Sequence, residues 1–248
     1  METVGVNVTH DASFCRCVNG EVNLFIEEER LSRKKHDTMP VKTVMEYQES
    51  NFAGITGLEY HDYSLKDTCN FFDVIFKKKI PNHDYRTYDQ HHFLHAMCGF
   101  YNSEFEEADV VVVDGLGNFV DEENHECATR WHVKKPTQVK LLERQVSSKF
   151  GIKTDRHDYW SMGVGMAYAS ISDYLGFGQT ESGKVMGLAP YGKEDPNIKP
   201  FVIDGRVNSK LFYRTRYGAN FIPYDYLPEK VDVRDQRFMN LAYRLQKD

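Results

Sequence analysis

The sequence ADVVVVDGLGN, residues 108–118, joins a strand signal to a polar glycine turn and decides the predicted fold. Four consecutive valines are typical of a buried strand, which ends at Asp114 where the turn begins. Open α/β sheets bind ligands at the carboxyl ends of their strands, so the Asp114 carboxylate is a candidate functional group. The backbone N–H groups of Gly115 and Gly117 could cradle a phosphate in such a turn.

The preceding sequence DQHHFLHA, residues 89–96, places His91 and His95 four residues apart. The segment is predicted to be helical because its apolar residues recur at helical spacing: Phe93, Leu94, Met97 and Tyr101. Both imidazoles then project from one helix face and, with Asp114, could form a facial metal site of two histidines and one carboxylate. A solvated helix with incidental histidines is the alternative, and the spacing leaves both open.

Composition describes a soluble globular protein whose 248 residues can bury a large core. The net charge of −6 disfavours binding to DNA or a membrane surface through overall charge, although a local basic cleft could still bind nucleic acid. No apolar run approaches the roughly 18 residues of a membrane span, and no signal peptide is evident. Five dispersed cysteines fit a reducing cytoplasm better than a disulfide framework.

The chain repeats the order strand, polar turn, strand, strand, helix, beginning near Val4 and again near Val110. The strands of the two copies are predicted at residues 3–9, 13–18 and 22–26, and at 110–114, 127–133 and 138–145. This repeat predicts a two-lobed α/β nucleotide-binding fold, with lobes at residues 1–108 and 109–248. The second lobe lacks the later strands of the first, so we expect it to be incomplete: either the chain is truncated or a partner completes it.

Two further segments are candidate binding sites: one is rich in glycine and the other in charged residues. GFGQTESGKVMGLAPYGK, residues 176–193, is predicted to be a glycine-rich loop in which Lys184 could contact a phosphate. It is not a Walker A loop, because Val185 stands where serine or threonine is required. EEERLSRKKH, residues 27–36, could reach an anionic substrate through Arg30 or Lys34, or it could be a solvated segment with internal ion pairs.

Three segments in this order resemble the NodU/CmcH/TobZ O-carbamoyltransferases. They are HDAS (10–13) with EERLSRKKH (28–36), HHxxHA (91–96) with VVVVDGLG (110–117), and GKVMGLAPYG (183–192). The resemblance implies an actin-like (ASKHA) domain with duplicated ribonuclease H-like lobes, related to the TsaD proteins of tRNA threonylcarbamoylation. It implies transfer of a carbamoyl group from carbamoyl-adenylate to a hydroxyl of a small-molecule, sugar or nucleoside acceptor.

In that family a YrdC-like domain makes carbamoyl-adenylate from carbamoyl phosphate and ATP. This sequence carries no such domain, so we expect it to need a YrdC-like domain or a partner chain. The resemblance places a divalent metal on His91, His95 and Asp114, with iron expected and zinc or manganese as alternatives. The family's fourth ligand comes from a later Asp-x-Gly motif, and this sequence ends before one.

Within the resemblance, His10 is the candidate that positions or deprotonates the acceptor hydroxyl, since an imidazole pKa near 6.5 suits a general base. Asp11 would orient His10 or contact the acceptor, and a turn that caps the backbone is the alternative. By analogy with TsaD, Glu181 and Lys184 would contact the ribose and phosphate of the adenylate. The glycines of the predicted cofactor site are Gly115, Gly117, Gly183 and Gly187.

Two other functions compete with this assignment. The chain could be a non-catalytic nucleotide-binding fragment or subunit that needs a partner chain to complete its site. A sugar-kinase-type phosphotransferase on the same fold fits less well, because it leaves the H-x-x-x-H pattern unexplained.

Overall fold

The computed structural model describes residues 2–7, 11–47, 54–58, 83–86, 90–115, 117–118, 120–121, 124–148, 152–154, 157–159, 162–215 and 218–248. Contacts divide the chain into two compact units, Met1–His91 and His92–Asp248. The boundary falls at the first residue of a helix whose remainder belongs to the second unit. The lobes predicted at 1–108 and 109–248 remain a prediction, because compactness does not by itself define a repeated lobe.

The first unit is built on a five-stranded sheet with the order β3-β2-β1-β4-β5. Its strands are β1 (Glu2–Asn7), β2 (Ser13–Val18), β3 (Glu21–Glu27), β4 (Gly54–Leu58) and β5 (His83–Arg86). The first three strands pair antiparallel, whereas β4 pairs parallel with both β1 and β5. The predicted antiparallel meander is therefore confirmed, and parallel strands accompanied by helices confirm the α/β class.

Two short helices follow the meander, α1 (Glu28–Ser32) and α2 (Val41–Tyr47), and a buried carboxylate joins them. Glu28 is only 1% exposed. It accepts hydrogen bonds from the backbone N–H of Lys42 at 2.9 Å, from the N–H of Thr43 at 2.8 Å and from the Thr43 hydroxyl at 2.9 Å. Negative charge at a helix N-terminus is favourable, so these donors offset the cost of burying the carboxylate.

Glu28→Ala is expected to lower the free energy of unfolding by about 2 kcal/mol, because it leaves buried N–H donors without their acceptor. Urea denaturation measures the change. Glu46→Ala is the matched control, since Glu46 lies exposed on α2, and its effect should stay within about 0.5 kcal/mol. Equal effects of the two substitutions would contradict the role assigned to Glu28.

The charged segment around α1 contains internal ion pairs, as predicted by the alternative in which this segment is solvated. Arg30 lies 3.2 Å from Glu27, and Lys34 lies 3.6 Å from Asp37. Both basic side chains are about two-thirds exposed, so these pairs contribute little to stability.

The second unit contains an antiparallel sheet of β6 (Glu107–Val113), β7 (Asn124–Lys134) and β8 (Gln138–Ser148). The prediction that the valine run is buried throughout is wrong. Val112 is 7% exposed, but Val111 and Val113 are 65% and 57% exposed. Among the described residues β6 is an edge strand with one covered face, so alternate side chains point to solvent.

The described residues of the second unit also form most of the helix α3 (His91–Tyr101), three further helices, two 3₁₀ turns and three short hairpins. The further helices are α4 (Val164–Tyr174), α5 (Ser182–Leu188) and α6 (Gln236–Lys247), with 3₁₀ turns at Ala189–Tyr191 and Ser209–Leu211. The hairpins are β9 (Ile152–Thr154) with β10 (His157–Tyr159), β11 (Val202–Ile203) with β12 (Arg206–Val207), and β13 (Phe212–Thr215) with β14 (Gly218–Phe221).

An aromatic and aliphatic core joins α4, α5, α6 and the β13–β14 hairpin. Phe238 and Leu241 on α6 and Ile171 on α4 are each 0% exposed. Asp235 begins α6 by accepting a hydrogen bond from the Arg237 N–H at 2.9 Å, which is a standard N-cap. Arg237 also donates to this carboxylate and, with that N–H, lowers the pKa of Asp235 to about 2.

Two further findings concern the helices and the cysteines among the residues that the structure describes. Their helices are too short or too polar to cross a bilayer. Cys17, Cys98 and Cys127 carry free thiols.

Candidate metal centre

The histidine segment forms α3 (His91–Tyr101), as its spacing predicts, but a different face of the helix is buried. The buried residues are His92, Ala96 and Phe100, which recur every four residues and pack one stripe of the helix inward. The apolar residues whose spacing indicated the helix are not its most buried ones: Phe93, Leu94 and Met97 are half-buried and Tyr101 is exposed. A histidine replaces an apolar residue on the buried face because it has a hydrogen-bond partner there.

His91 and His95 each precede a buried residue of α3 by one position, so they project from the adjacent face at its margin. His91 is half-buried and His95 is exposed. Within the part of the chain that the structure describes, one ligand atom from each, together with a carboxylate oxygen of Asp114, lie within 4.8 Å of one another. The structure therefore brings together the three residues predicted to hold a metal.

The donor set fits a first-row divalent metal, for which two imidazole nitrogens and one carboxylate form a known facial arrangement. In a facial set the donors lie about 90° apart at the ion, so donors bound at about 2.1 Å are about 3.0 Å from one another. The three ligand atoms lie within 4.8 Å of one another, so binding of one ion would draw them closer together by side-chain rotation.

Backbone pairing and a local hydrogen bond position Asp114 at the end of β6. Its own N–H donates to the Cys127 carbonyl at 3.0 Å, which continues the pairing with β7. The Gly115 N–H donates to Oδ1 of Asp114 at 2.6 Å and so orients the carboxylate. Burial raises the pKa of the Cys127 thiol.

The start of α4 packs directly on the backbone of the turn at Asp114. A Cβ atom added to Gly165 would lie 2.5 Å from the Gly115 nitrogen and 2.8 Å from the Asp114 carbonyl carbon. A Cβ added to Gly163 would lie 2.6 Å from Cβ of Cys127. Only glycine permits this approach. Sequence reasoning did not identify the role of Gly163 and Gly165. The available signal was a pair of glycines two positions apart at the start of a predicted helix.

A buried polar network surrounds His92 on the buried face of α3. The His92 Nδ1 atom lies 3.1 Å from the Thr129 hydroxyl, which accepts a hydrogen bond from the Trp131 indole at 2.8 Å. Glu126 is 1% exposed, and its carboxylate lies 3.7 Å from His92 and 2.8 Å from Nε of Arg144. This network fixes α3 on β7, and sequence reasoning did not find it.

Gly117 packs against that network. A Cβ atom at this position would lie 2.3 Å from Nε2 of His92, so the turn approaches the buried ring only because the residue is glycine. The Gly117 N–H donates to the Glu126 carbonyl at 2.8 Å, and the Gly115 N–H donates to Asp114. To accept hydrogen bonds from these N–H groups, a phosphate would have to displace the Glu126 carbonyl and the Asp114 carboxylate. Phosphate binding by Gly115 and Gly117 therefore stays a prediction.

The predicted glycine-rich loop at 176–193 is wrong as a description of structure, because its centre is the helix α5. Gly183 and Gly187 lie in that helix, and a Cβ atom at either would meet nothing within 4 Å. Glu181 and Lys184 form an ion pair at 3.2 Å. The hydrogen bonds of the helix stabilise this segment despite its glycine content. Contacts of Glu181 and Lys184 with an adenylate stay a prediction.

The predicted acid–base turn lies in the first unit. His10 falls outside the described residues. Asp11 is described, and its Oδ1 atom lies 2.7 Å from Nδ1 of His36. His36 belongs to the second half of the first resemblance motif, but it was not among the predicted site residues.

Comparisons with known proteins support the motif resemblance. The carbamoyltransferase N-terminus family profile matches residues 41–226. The nodulation protein NolNO of Sinorhizobium fredii is 26% identical over 216 residues, which cover 76% of this chain and 28% of that protein. The nodulation protein NolO of Bradyrhizobium diazoefficiens is 31% identical over 105 residues, covering 42% of this chain and 16% of that protein. The chain thus spans less than a third of the length of these two relatives.

A solved structure assigned as an N-acetylglucosamine kinase from Porphyromonas gingivalis aligns with 75% of this chain and 56% of its own, at 7% identity and a TM-score of 0.34. This similarity is too low to define the fold, which rests on the two sheets described above. The family match covers most of the chain, and it includes His91, His95 and Asp114. The chain therefore belongs to the carbamoyltransferase N-terminal family, of the NodU type that its three motifs predict.

Proposed function

We propose that this chain is the transfer domain of an O-carbamoyltransferase. It would move a carbamoyl group from carbamoyl-adenylate to a hydroxyl of a small-molecule, sugar or nucleoside acceptor. The observation that carries the proposal is the convergence of His91, His95 and Asp114 within 4.8 Å, in a chain of the carbamoyltransferase N-terminal family. Two different elements supply these side chains, so a random surface cluster is a poor explanation.

His91, His95 and Asp114 would hold a divalent metal, with iron expected and zinc or manganese as alternatives. When bound, such an ion supplies a Lewis acid that polarises carbonyl or phosphoryl oxygens. The chain itself keeps the ligands in place: the rigid helix α3 presents both imidazoles, and the Gly115 N–H orients the carboxylate. Ligands held in this way need little rearrangement when charge develops on the substrate.

The proposed reaction is a nucleophilic substitution at the carbamoyl carbon. The acceptor oxygen bonds to that carbon, the bond from the carbon to the adenylate phosphate oxygen breaks, and AMP leaves with the electron pair. His10 would position the acceptor hydroxyl or take its proton as general base, and Asp11 would orient His10 or contact the acceptor. Glu181 and Lys184 would bind the ribose and the phosphate of the adenylate.

The carbamoyl-adenylate must be supplied to this chain. We propose that a YrdC-like domain or partner chain makes it from carbamoyl phosphate and ATP. Since this chain spans 28% of the length of NolNO, such a domain could belong to the same polypeptide in a longer relative.

The test is transfer of a radioactive label. The chain is loaded with Fe(II) without oxygen and supplied with ¹⁴C-carbamoyl phosphate, ATP and a separate carbamoyl-adenylate-forming enzyme. An aminoglycoside, an oligosaccharide and a nucleoside serve as acceptors. We expect label in at least one acceptor, a loss of about 100-fold in rate for His95→Ala, and little change for His132→Ala.

His132 is the matched control because it pairs with Asp109 in the exposed ladder of β6 and β7. If the chain transfers no label to any acceptor, the proposed function is wrong. If it binds ATP but neither metal nor label, the non-catalytic nucleotide-binding subunit is the correct assignment.

A further inference from the structure

His92 lies where the helix α3 meets the other elements of the candidate metal centre. Its ring is fully buried, and its Nδ1 atom lies 3.1 Å from the Thr129 hydroxyl on β7. Its Nε2 atom faces Gly117, where an added Cβ atom would overlap the ring. One side chain of the helix that carries both imidazole ligands thus contacts the strand β7 and the turn that begins at Asp114.

The turn that His92 contacts is itself fixed to β7. Three backbone hydrogen bonds pair them: Asp114 N–H to the Cys127 carbonyl at 3.0 Å, Gly117 N–H to the Glu126 carbonyl at 2.8 Å, and Glu126 N–H to the Asn118 carbonyl at 2.7 Å. The carboxylate of Asp114 is therefore attached to a backbone that does not follow movements of α3.

The bond from His92 to Thr129 sets the rotation of α3 about its own axis. The other buried residues of this helix, Ala96 and Phe100, are apolar, and hydrophobic packing is non-directional. A hydrogen bond is directional, and the Thr129 hydroxyl is held in turn by the Trp131 indole, which donates to it at 2.8 Å. Rotation of α3 against β7 would break this bond.

The rotation of α3 controls where its two metal ligands lie. An imidazole nitrogen lies about 6 Å from the helix axis, so a rotation of about 10° moves it by about 1 Å. Metal–ligand distances tolerate a change of only about 0.2 Å. A small rotation would therefore take His91 and His95 out of reach of an ion that Asp114 also binds.

Stability alone is a weak reason for a histidine at this buried position. A buried polar ring gives up its hydrogen bonds to water, and the bond it makes within the protein returns only a small net gain. An apolar side chain could pack on the same face of α3 without that cost, as Phe100 does. A role that needs a directional contact explains His92 better.

We propose that His92 is a positioning residue of the metal centre, an inference that rests on the proposed function. Its ring holds the nitrogens of His91 and His95 at the separation from the Asp114 carboxylate that one ion requires. His92 does not itself bind the ion, because its two nitrogens face Thr129 and Gly117.

The test measures binding of Mn(II) to the variant His92→Leu by titration calorimetry. We expect the dissociation constant to rise by about 10- to 100-fold, as is usual when a residue that orients metal ligands is lost. Thr129→Val keeps the shape of the side chain and removes its hydroxyl, so it should weaken binding as well. His92→Asn places an amide near the position of Nδ1 and should restore part of the affinity.

Phe100→Leu is the matched control, because Phe100 belongs to the same buried face of α3 and is 1% exposed. It should lower the urea midpoint but leave the dissociation constant for Mn(II) within about twofold. At saturating Co(II), His92→Leu should alter the visible spectrum of the bound ion, which reports its ligand geometry. Phe100→Leu should leave that spectrum unchanged.

Two results separate this role from the function on which it rests. If the unmodified chain binds neither Mn(II) nor Co(II), the metal centre is wrong and the proposed function fails with it. If the chain binds Mn(II), and His92→Leu and Thr129→Val bind it equally tightly or Phe100→Leu weakens binding as much as they do, the role of His92 alone is overturned.

Discussion

Asp114→Ala is expected to weaken binding of a divalent metal by about 100-fold or more. Asp114 supplies the single carboxylate of the cluster, and its removal leaves two imidazoles, of which one is exposed. Two neutral nitrogens neither balance the ion's charge nor complete a facial set. Titration calorimetry with Mn(II), and with Fe(II) under anaerobic conditions, measures the change.

Asp109→Ala is the matched control for this substitution. Asp109 lies on the same strand, β6, but its carboxylate pairs with His132 at 2.9 Å and with Arg130 at 3.2 Å on the exposed ladder. We expect it to leave the metal affinity unchanged. Equal losses of affinity in the two variants would contradict the assignment of Asp114.

Gly165→Ala is expected to destabilise the second unit by about 2 kcal/mol, although alanine normally favours helices. The added Cβ atom would lie 2.5 to 2.8 Å from backbone atoms of Gly115 and Asp114, which cannot move aside as the end of a flexible side chain can. The strain outweighs a gain in helix propensity of about 1 kcal/mol. Because the displaced backbone carries Asp114, metal affinity should fall as well.

Gly183→Ala is the control for this prediction and should have the opposite sign. Gly183 lies in the helix α5, and a Cβ atom there would meet nothing within 4 Å. Alanine is therefore expected to raise the free energy of unfolding by up to about 1 kcal/mol. Urea denaturation of both variants provides the measurement. A stabilising effect of Gly165→Ala would contradict the close packing of α4 on the turn.

Local sequence patterns predicted the parts of the site that depend on spacing along one element. Four-residue spacing placed His91 and His95 on one face of a helix, and the end of the valine run placed Asp114 at the end of a strand. Their convergence followed from the resemblance and from general features of α/β sheets. Periodicity alone could not have shown that two separate elements meet.

The features that sequence reasoning missed depend on partners far along the chain. His92 is buried because Thr129 bonds it from a position 37 residues away, and no hydropathy pattern indicates such a partner. The pairing of Asp11 with His36 similarly spans 25 residues. The helix α5 was mistaken for a loop because its glycines suggested one, whereas hydrogen bonding and core packing through Val185 stabilise a helix.

X-ray absorption at the metal edge of the Fe(II)-loaded chain tests the central claim most directly, because it counts the imidazoles bound to the ion. We expect one ion per chain, with nitrogen and oxygen ligands at about 2.1 Å and the outer-ring scattering of two imidazoles. The double variant His91→Ala/His95→Ala should lose that scattering together with the ion. A chain that retains no ion, or a double variant whose spectrum is unchanged, would contradict a metal centre at His91, His95 and Asp114.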